Sequence, residues 1–271
     1  MSEPTADIAS LLESAPPDLR FDTELLIAHT LDWSRAKVLA FSEETPDPSV
    51  AEVLQSKLRR LHGGEPLAYL TGEREFFGLA LEVNPDVLIP RADTELLVEL
   101  AVEHSPQNAH VIDMGTGSGA IAVSLKHARP DLNITASDKS SAALAVAEAN
   151  ARRHNCCINF VLSDWYENLS GQYDLIISNP PYIAANDPHL SALQHEPVEA
   201  LIGGIDGLDD YRQIATGATA RLNQEGLVFV EQGADQADAV AALFTHAGLA
   251  NTLTYNDLAG HRRVTRAQRL R

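Results

Sequence analysis

The stretch His110-Val111-Ile112-Asp113-Met114-Gly115-Thr116-Gly117-Ser118-Gly119-Ala120 decides the fold class of this 271-residue chain. Its first residues form an apolar run of strand length, which leads directly into a loop with three glycines. A helical pattern then continues through Arg129. Glycines at such a junction let backbone amides approach a ligand closely. The stretch therefore predicts a strand, a ligand-binding loop and a helix, in that order.

The alternation of strands and helices continues along the chain after Thr94. A helix is predicted over residues 140–154, and seven strands are predicted at 110–113, 133–137, 158–162, 175–178, 227–231, 251–255 and 262–265. Strands that alternate with helices favour a parallel sheet covered on both faces. No spacer of helix length separates the last two strands, so these should pair antiparallel. We expect an α/β protein with a Rossmann-like seven-stranded sheet, mostly parallel with an antiparallel C-terminal strand.

The region before this sheet is predicted to be a small all-α bundle. Apolar residues recur at helical spacing, most clearly at Val50, Val53, Leu54, Leu58 and Leu61. Residues 75–90 are typical of two strands around an Asn84-Pro85-Asp86 turn. We therefore divide the chain into an N-terminal helical domain over 1–72, a β-hairpin linker over 73–92 and an α/β domain over 93–271.

The charge balance limits the possible partners. The chain carries 38 Asp and Glu residues against 20 Lys and Arg residues, a formal charge of −18. Such a chain as a whole repels phosphate backbones, so we expect no stable binding to nucleic acid. The basic run at 261–271 is the exception. We interpret it as a solvated tail or an edge strand.

No segment suggests export, a membrane or a metal site. Residues 1–7 are polar and acidic, and no apolar run approaches the roughly 18 residues that span a bilayer. We expect a cytoplasmic protein that contacts no membrane. The two cysteines, Cys156 and Cys157, are adjacent in the chain. Adjacent cysteines have poor geometry for a disulfide, and their spacing does not match that of metal ligands. We expect ordinary buried or half-buried thiols and no bound metal.

The glycine loop predicts a cofactor but does not name it. Its candidate binding residues are Gly115, Thr116, Gly117, Ser118 and Gly119. Gly115, Gly117 and Ala120 also satisfy the dinucleotide fingerprint. Asp138, at the end of the second strand, is placed to accept hydrogen bonds from ribose hydroxyls, as in both cofactor types. The loop and this acid are therefore compatible with NAD and with S-adenosylmethionine.

Asn179-Pro180-Pro181-Tyr182 follows the apolar strand at 175–178 and predicts the chemistry. Two prolines stiffen the loop, remove amide donors and leave its carbonyls free. The Asn179 side-chain oxygen and the Pro180 carbonyl can accept hydrogen bonds from one planar NH2 group, while Tyr182 offers a face for that group. Methyl transfer to a planar nitrogen needs such a clamp, whereas hydride transfer does not.

We therefore favour a methyltransferase. Its predicted catalytic residues are Asn179, Pro180 and Tyr182, and Pro181 completes the substrate-binding set. Asn179 also borders the cofactor. Asp164 and Trp165 follow the third strand, where Trp165 would contact an adenine. Alternatively, Asn-Pro-Pro is only a turn and Trp165 only a core residue.

These residues together resemble the class I S-adenosylmethionine-dependent methyltransferases, and the tetrapeptide resembles that of enzymes that methylate amino groups of glutamine, adenine or cytosine. More specific segments lie at 64–73, 75–78, 88–97 and 200–208. With them, the chain closely resembles the peptide chain release factor glutamine methyltransferases from about residue 60 onward. One departure is Ala92, where the family usually has a second proline after Pro90-Arg91.

The resemblance implies that the chain methylates the side-chain amide nitrogen of the glutamine in the Gly-Gly-Gln motif of bacterial class I release factors, with S-adenosyl-L-methionine as cofactor. It also implies that the N-terminal helices recognise the release factor and that 93–271 is the methyltransferase domain. We expect a monomer.

Three other functions stay open on the sequence. A ribosomal-protein glutamine methyltransferase shares the clamp. A DNA or RNA amino-methyltransferase would use the tetrapeptide on a flipped base, against which the charge of −18 weighs. A non-catalytic cofactor-binding module would keep the loop as scaffold, which the intact Asn179 to Tyr182 disfavours.

Overall fold

The computed structural model describes residues 7–270. The chain divides near residue 73 into two compact units. Residues 1–6 and 271 lie outside the described part. These residues include most of the polar start of the chain, the first residues of the predicted helical domain and the last residue of the basic run.

The first unit is the predicted all-α bundle. Its helices are α1 (Ile8–Glu13), α2 (Arg20–Leu31), α3 (Arg35–Ala40), α4 (Pro48–His62) and α5 (Leu67–Thr71). Side chains define two of the helix starts, because Asp7 accepts from the Ser10 amide before α1 and Ser34 accepts from the Lys37 amide before α3. Proline begins α4, where its missing amide proton costs nothing.

The stripe predicted for α4 departs from the buried face at two positions, and at the first of them Val50 is only half-buried. Val53 is half-exposed, and the buried row of this helix is Ala51, Leu54, Leu58 and Leu61. This row follows the spacing of three or four residues that one face of a helix requires, and Val53 lies to one side of it. The row packs with apolar residues of α1 and α2 into the core of the first unit.

The hairpin is present, but its turn is not the predicted one. Strands β1 (Glu73–Phe76) and β2 (Leu79–Glu82) pair around Phe77-Gly78, whose φ angles are 51° and 75°. Positive φ at both central residues is the type I′ geometry that matches strand twist. Asn84-Pro85-Asp86 forms a separate bend, and residues 87–90 after it do not form a strand.

A seven-stranded sheet forms the second unit, as predicted. Its strands are β3 (His110–Met114), β4 (Asn133–Asp138), β5 (Asn159–Leu162), β6 (Tyr173–Ser178), β7 (Leu222–Glu231), β8 (Ala250–Asn256) and β9 (Arg262–Gln268), in the order β5-β4-β3-β6-β7-β9-β8. The first five are parallel, and β9 runs antiparallel to both β7 and β8. The helices of this unit are α6 (Glu95–His104), α7 (Ala120–Ala128), α8 (Ser141–Arg153), α9 (Asp209–Arg221) and α10 (Ala237–His246).

The basic run is not an edge strand, as one interpretation of the sequence had it. Most of it forms β9, which lies between β7 and β8, and Val264, Thr265 and Ala267 are fully buried. Two arginines at the start of this strand reach acidic partners, namely Arg262 at Asp238 (2.7 Å) and Arg263 at Asp93 (3.1 Å) and Asp257 (3.2 Å). The expectation for the cysteines is also corrected at one position. Cys156 is half-buried, but Cys157 is exposed.

Residues of the central strand β3 alternate between two cores. Val111 packs with α6 and α7 on one face, whereas Ile112 and Met114 pack with α9 and α10 on the other. This explains why the strand is apolar without interruption, as buried parallel strands are. Strand order reverses between β3 and its neighbour β6, so the loops after these two strands border a crevice.

Asn150 of α8 links β2 to the glycine loop through a fully buried side chain. Its Oδ1 accepts from the Glu82 amide at 2.7 Å. Its Nδ2 donates to the carbonyl oxygens of Glu82 (3.0 Å) and Ser118 (2.9 Å). One amide side chain thereby holds β2 against the glycine loop.

We predict that Asn150→Ala lowers the free energy of unfolding by about 3 kcal/mol, because one buried and two part-buried backbone groups lose their partner. Urea unfolding followed by tryptophan fluorescence measures this. Asn133→Ala is the control, since Asn133 also donates to a backbone carbonyl but at an exposed position. The free energy of unfolding of Asn133→Ala should stay within about 0.5 kcal/mol of the wild-type value. Equal losses in the two variants would contradict the role of Asn150.

Candidate active site

A cavity of about 480 Å³ opens at the carboxyl ends of β3, β4 and β6. Its size lies in the range of small-molecule sites. Eight of the site residues predicted from the sequence line it, namely Gly115, Thr116, Gly117, Ser118, Asp138, Trp165, Asn179 and Pro181. Gly119, Pro180 and Tyr182 are not among the lining residues. Within residues 7–270, no group of His, Cys, Asp and Glu could hold a metal ion.

Backbone hydrogen bonds hold the glycine loop in place. The amides of Gly115 and Thr116 both donate to the Ser137 carbonyl at 2.9 Å, which joins the loop to β4. Gly119 serves packing, because a Cβ there would lie 3.0 Å from the Cβ of Ala147 on α8. The loop therefore presents its first four residues to the cavity and its last glycine to a neighbouring helix.

Two acids lie under the loop. Asp138 accepts from the Gly117 and Ser140 amides, both at 2.9 Å. Burial raises the pKa of its carboxyl, and the two amides partly offset that effect. Asp113 accepts from the Thr116 hydroxyl at 2.6 Å, and burial raises its pKa to about 7. Oδ1 of Asp113 has no hydrogen-bond partner among the described residues.

Trp165 covers one side of the loop. Its ring lies 4.0 Å from where a Cβ on Gly115 would be, and its backbone has a positive φ of 41°. Burial raises the pKa of the Asp210 carboxyl, which also lines the cavity, and the ring N–H of Trp165 acts against that rise. A positive φ is unusual for a bulky residue, so the ring is held by its surroundings. This arrangement places a fixed aromatic face beside the glycine loop.

Asn179 has one end of its side-chain amide already engaged. Its Nδ2 donates to the Thr94 hydroxyl at 3.2 Å, which leaves Oδ1 as its acceptor in the cavity wall. Among the described residues, no donor reaches the Pro180 carbonyl. The Asn179 Oδ1 is therefore available at this edge of the cavity, whereas Pro180 is buried and is not a lining residue.

Tyr182 has a more structural position than its sequence suggests. Its ring packs against the core formed by α9, α10 and β7, and burial raises the pKa of its phenol to about 12. Its backbone carbonyl accepts from Gln236 Nε2 at 2.9 Å. The ring is therefore neutral at physiological pH, and it supports the tetrapeptide from behind.

The segment 201–207 forms a second layer behind the tetrapeptide. The Ile183 amide donates to the Leu201 carbonyl at 2.9 Å, and the Gly203 amide donates back to the Ile183 carbonyl at 3.0 Å. A Cβ on Gly203 would lie 2.3 Å from the Pro181 carbonyl oxygen, and one on Gly207 would lie 2.3 Å from that of Tyr182. Glycine at both positions allows a backbone to lie directly against the clamp.

Several residues at the site were missed by sequence reasoning. Arg91 lines the cavity and pairs with the buried Glu196, which also accepts from the Ile89 amide at 3.1 Å. This ion pair ties the segment before α6 to the segment after the tetrapeptide. Arg91 and Thr94 belong to the segment 88–97 that carries the family resemblance, but Glu196 gives no signal in the sequence. Glu231 had one, since it ends a strand at the same edge as Asn179.

Comparison with known proteins decides the family. The PrmC N-terminal domain matches residues 5–72, and the methyltransferase small domain matches residues 91–199. The Bordetella pertussis protein named release factor glutamine methyltransferase is 46% identical over 258 residues, which cover 93% of this chain and 96% of that protein. The Coxiella burnetii protein of the same name is 40% identical over 275 residues and 99% of each chain. The chain belongs to the release factor glutamine methyltransferase family.

Membership in this family confirms the resemblance found in the sequence and makes the chain a methyltransferase that uses S-adenosyl-L-methionine. The dinucleotide alternative for the glycine loop is thereby wrong. A solved methyltransferase from Pyrococcus furiosus agrees with the fold, with a TM-score of 0.57 at 16% identity over 80% of this chain and 98% of that one. At that identity the likeness concerns the fold alone. Among the described residues, no helix is long and apolar enough to cross a membrane.

The cavity fits this cofactor in its chemistry. S-adenosyl-L-methionine needs acceptors for ribose hydroxyls, an apolar face for adenine and backbone donors for its carboxylate. Asp138 and Trp165 have the first two properties and line the same cavity as the loop 115–118. Within this loop the amides of Gly115, Thr116 and Gly117 are already engaged, so the Ser118 amide is the donor that could meet the carboxylate.

We predict that Gly203→Ala lowers kcat for methyl transfer about 10- to 100-fold, because a displacement of the clamp by about an ångström is costly in rate. The added Cβ meets a backbone oxygen, which cannot rotate away as a side chain does. Affinity for S-adenosyl-L-methionine, measured by calorimetry, should change little. Gly63→Ala in the helical unit is the control, since its closest contact would be 3.3 Å. A wild-type rate for Gly203→Ala would show that the clamp tolerates displacement.

Proposed function

We propose that this protein transfers the methyl group of S-adenosyl-L-methionine to the side-chain amide nitrogen of the glutamine in the Gly-Gly-Gln motif of bacterial class I release factors. The observation that carries the proposal is the Asn179 amide. Its Nδ2 is engaged by Thr94, so Oδ1 is available at the wall of the cofactor cavity. The names of relatives that match over nearly the whole chain support the same substrate.

The two acceptors suit a glutamine amide. Its nitrogen lone pair is delocalised into the carbonyl, so this nitrogen is a poor nucleophile. Acceptors at Asn179 and Pro180 hold both N–H bonds and direct the lone pair at the methyl carbon. They also favour the positive charge that develops on nitrogen as the new bond forms. The nitrogen loses its proton after transfer, and we assign no general base.

The cofactor supplies the leaving group. When bound, S-adenosyl-L-methionine provides a methyl group on a sulfonium sulfur, which departs as a neutral thioether. We assign the ribose hydroxyls to Asp138 and the adenine to Trp165. The loop of Gly115, Thr116, Gly117 and Ser118 would border the methionine part, with the Ser118 amide as its donor. Asn179 lies where cofactor and substrate meet.

We assign substrate recognition to the N-terminal helical domain, residues 1–72, with 73–92 as linker and 93–271 as the methyltransferase domain. The match of the PrmC N-terminal domain to residues 5–72 supports a distinct role for this region. Leu39 and Phe41 are 43% and 51% exposed, so this domain offers apolar surface to a protein partner.

The proposed substrate places the reaction in the bacterial cytoplasm. The charge of −18 supports a protein rather than a nucleic acid as target. We infer a monomer, which light scattering of the purified protein would test directly.

We predict that Asn179→Ala lowers kcat on a purified release factor by about two to three orders of magnitude, the usual scale for a lost preorganised polar contact. The assay uses labelled cofactor with separate release-factor, ribosome and DNA fractions. Label should appear in the release factor alone and on its Gly-Gly-Gln glutamine by mass spectrometry. Label confined to ribosomal protein or DNA would overturn the proposed substrate.

Asp138→Ala serves as the matched control for the clamp variant. It should weaken cofactor binding about tenfold or more by calorimetry, whereas Asn179→Ala should change that affinity by less than about threefold, because only Asp138 holds the ribose. A near-wild-type rate for Asn179→Ala would defeat the clamp. Unchanged cofactor affinity for Asp138→Ala would remove Asp138 from the site.

We predict that the double variant Leu39→Ala, Phe41→Ala raises KM for full-length release factor about tenfold, because it removes apolar surface from the proposed docking face. KM for a short Gly-Gly-Gln peptide should not change, since a peptide that size cannot reach a separate docking face. Steady-state kinetics with both substrates measures the difference. An equal effect on the two substrates, or none on either, would contradict the recognition role.

A further inference from the structure

The bond that orients Asn179 continues to a third residue. The Thr94 hydroxyl accepts from the Asn179 Nδ2 at 3.2 Å. Burial raises the pKa of Glu231, and the Thr94 hydroxyl is placed to lower it as a donor to that carboxylate. Thr94 is 4% exposed and Glu231 is 1% exposed. The three residues come from separate elements: Asn179 follows β6, Thr94 precedes α6, and Glu231 ends β7. Ser178 pairs with Val230 across the sheet, so Asn179 and Glu231 are the next residues of neighbouring strands.

A carboxylate gives this chain of hydrogen bonds a direction. It can only accept, so the Thr94 hydroxyl must direct its proton at Glu231 and its lone pairs at Asn179. Only the NH2 end of the Asn179 amide can then face Thr94. The carbonyl end is left for the cavity. If residue 231 could donate, the Thr94 proton would be free to turn toward Asn179 Oδ1, and the amide would lose its preferred orientation.

We propose that Glu231 and Thr94 are positioning residues, which act through the direction of their hydrogen bonds to keep the acceptor end of the Asn179 amide toward the substrate. This inference rests on the proposed function, in which that oxygen accepts from the glutamine NH2. In the reversed orientation, two NH2 groups would face each other, and the clamp would lose one of its two acceptors. Neither positioning residue needs to touch the substrate.

Charged and polar groups from several elements surround the buried Glu231 carboxylate. Arg263 and Arg91 attract this charge, Asp93 opposes it, and Tyr182 lies nearby. Arg263 is itself shared with Asp93 (3.1 Å) and Asp257 (3.2 Å). From α9, the Tyr211 hydroxyl donates to the Glu231 backbone carbonyl and not to its carboxylate. Oε2 of Glu231 has no hydrogen-bond partner in the described part of the chain.

Burial raises the pKa of Glu231 to about 7, and the Thr94 hydrogen bond and the positive charge of Arg263 only partly offset this. The directing carboxylate therefore predominates above pH 7. Below that pH the group takes up a proton, becomes a donor and no longer fixes the Thr94 hydroxyl. The rate of methyl transfer should fall as pH decreases through about 7.

The test compares purified full-length wild type with Thr94→Val, Thr94→Ser, Glu231→Gln, Asn179→Ala and the double variant Thr94→Val, Asn179→Ala. Valine replaces threonine at nearly equal volume without the hydroxyl, while serine keeps the hydroxyl. Measurements are kcat and KM on the release factor between pH 6 and 8.5, and cofactor affinity by calorimetry. Wild-type transfer to the release factor verifies the proposed function separately from the positioning role.

We expect Thr94→Val to lower kcat about 10- to 100-fold with cofactor affinity unchanged, and Thr94→Ser to stay within about threefold of wild type. Adding Thr94→Val to Asn179→Ala should cause no further loss, because the hydroxyl acts only through that amide. Glu231→Gln should lower kcat several-fold and remove the fall in rate below pH 7. That last readout separates Glu231 from Asp113, which has a similar pKa and stays intact in this variant.

Two outcomes would overturn the inference. One is a wild-type kcat for Thr94→Val, or a loss that multiplies with that of Asn179→Ala. The other is a Glu231→Gln variant with the rate and pH profile of wild type. If Thr94→Val does not fold, the Glu231→Gln profile decides alone, since this isosteric change removes a buried charge without creating a cavity.

Discussion

Parallel pairing of β3 with β6 is the constraint on which the rest of the site depends. Val111 pairs with Leu175, Ile112 with Ile176 and Asp113 with Ile177, so both strands end at the same edge. The Ser178 hydroxyl then donates to the Met114 carbonyl at 2.6 Å and fixes the two exits relative to each other. The cofactor loop and the tetrapeptide lie side by side because their strands do. A slip of one residue would turn every side chain of one strand to the opposite face.

The clamp itself is rigid because its support is mostly backbone. Prolines stiffen the tetrapeptide from within, and segment 201–207 contacts it from behind. The Arg91–Glu196 ion pair joins the segments on either side of the cavity, and the buried Asn150 holds the glycine loop. Such construction suits a reaction in which geometry rather than a reactive side chain lowers the barrier. A poor nucleophile needs fixed acceptors more than it needs a base.

The sequence predicted the elements that depend on short runs of neighbouring residues. The seven strands, the glycine loop and the position of the tetrapeptide follow from runs of apolar residues and their punctuation. The hairpin turn was misplaced because Asn84-Pro85-Asp86 has strong turn propensity, whereas Phe77 at φ 51° is an uncommon turn residue. The interior position of β9 could not be predicted, since Arg262 and Arg263 look solvated until their acidic partners are known. Glu196 escaped notice because its role arises from contacts far apart in the chain. Glu231 ends a predicted strand, but that position alone does not indicate its closeness to Thr94.

The position of β9 has a further consequence for the integrity of the sheet. This strand covers the open side of β7 and is the only support of β8 within the described residues. Any loss or loosening of residues 262–268 would therefore leave β7 with unpaired amide and carbonyl groups along fully buried Val228, Phe229 and Val230. An apolar edge of that kind recruits strands from other molecules. The basic strand thus protects β7 against self-association, and the ion pairs of Arg262 and Arg263 with Asp238, Asp93 and Asp257 attach its first residues to their surroundings.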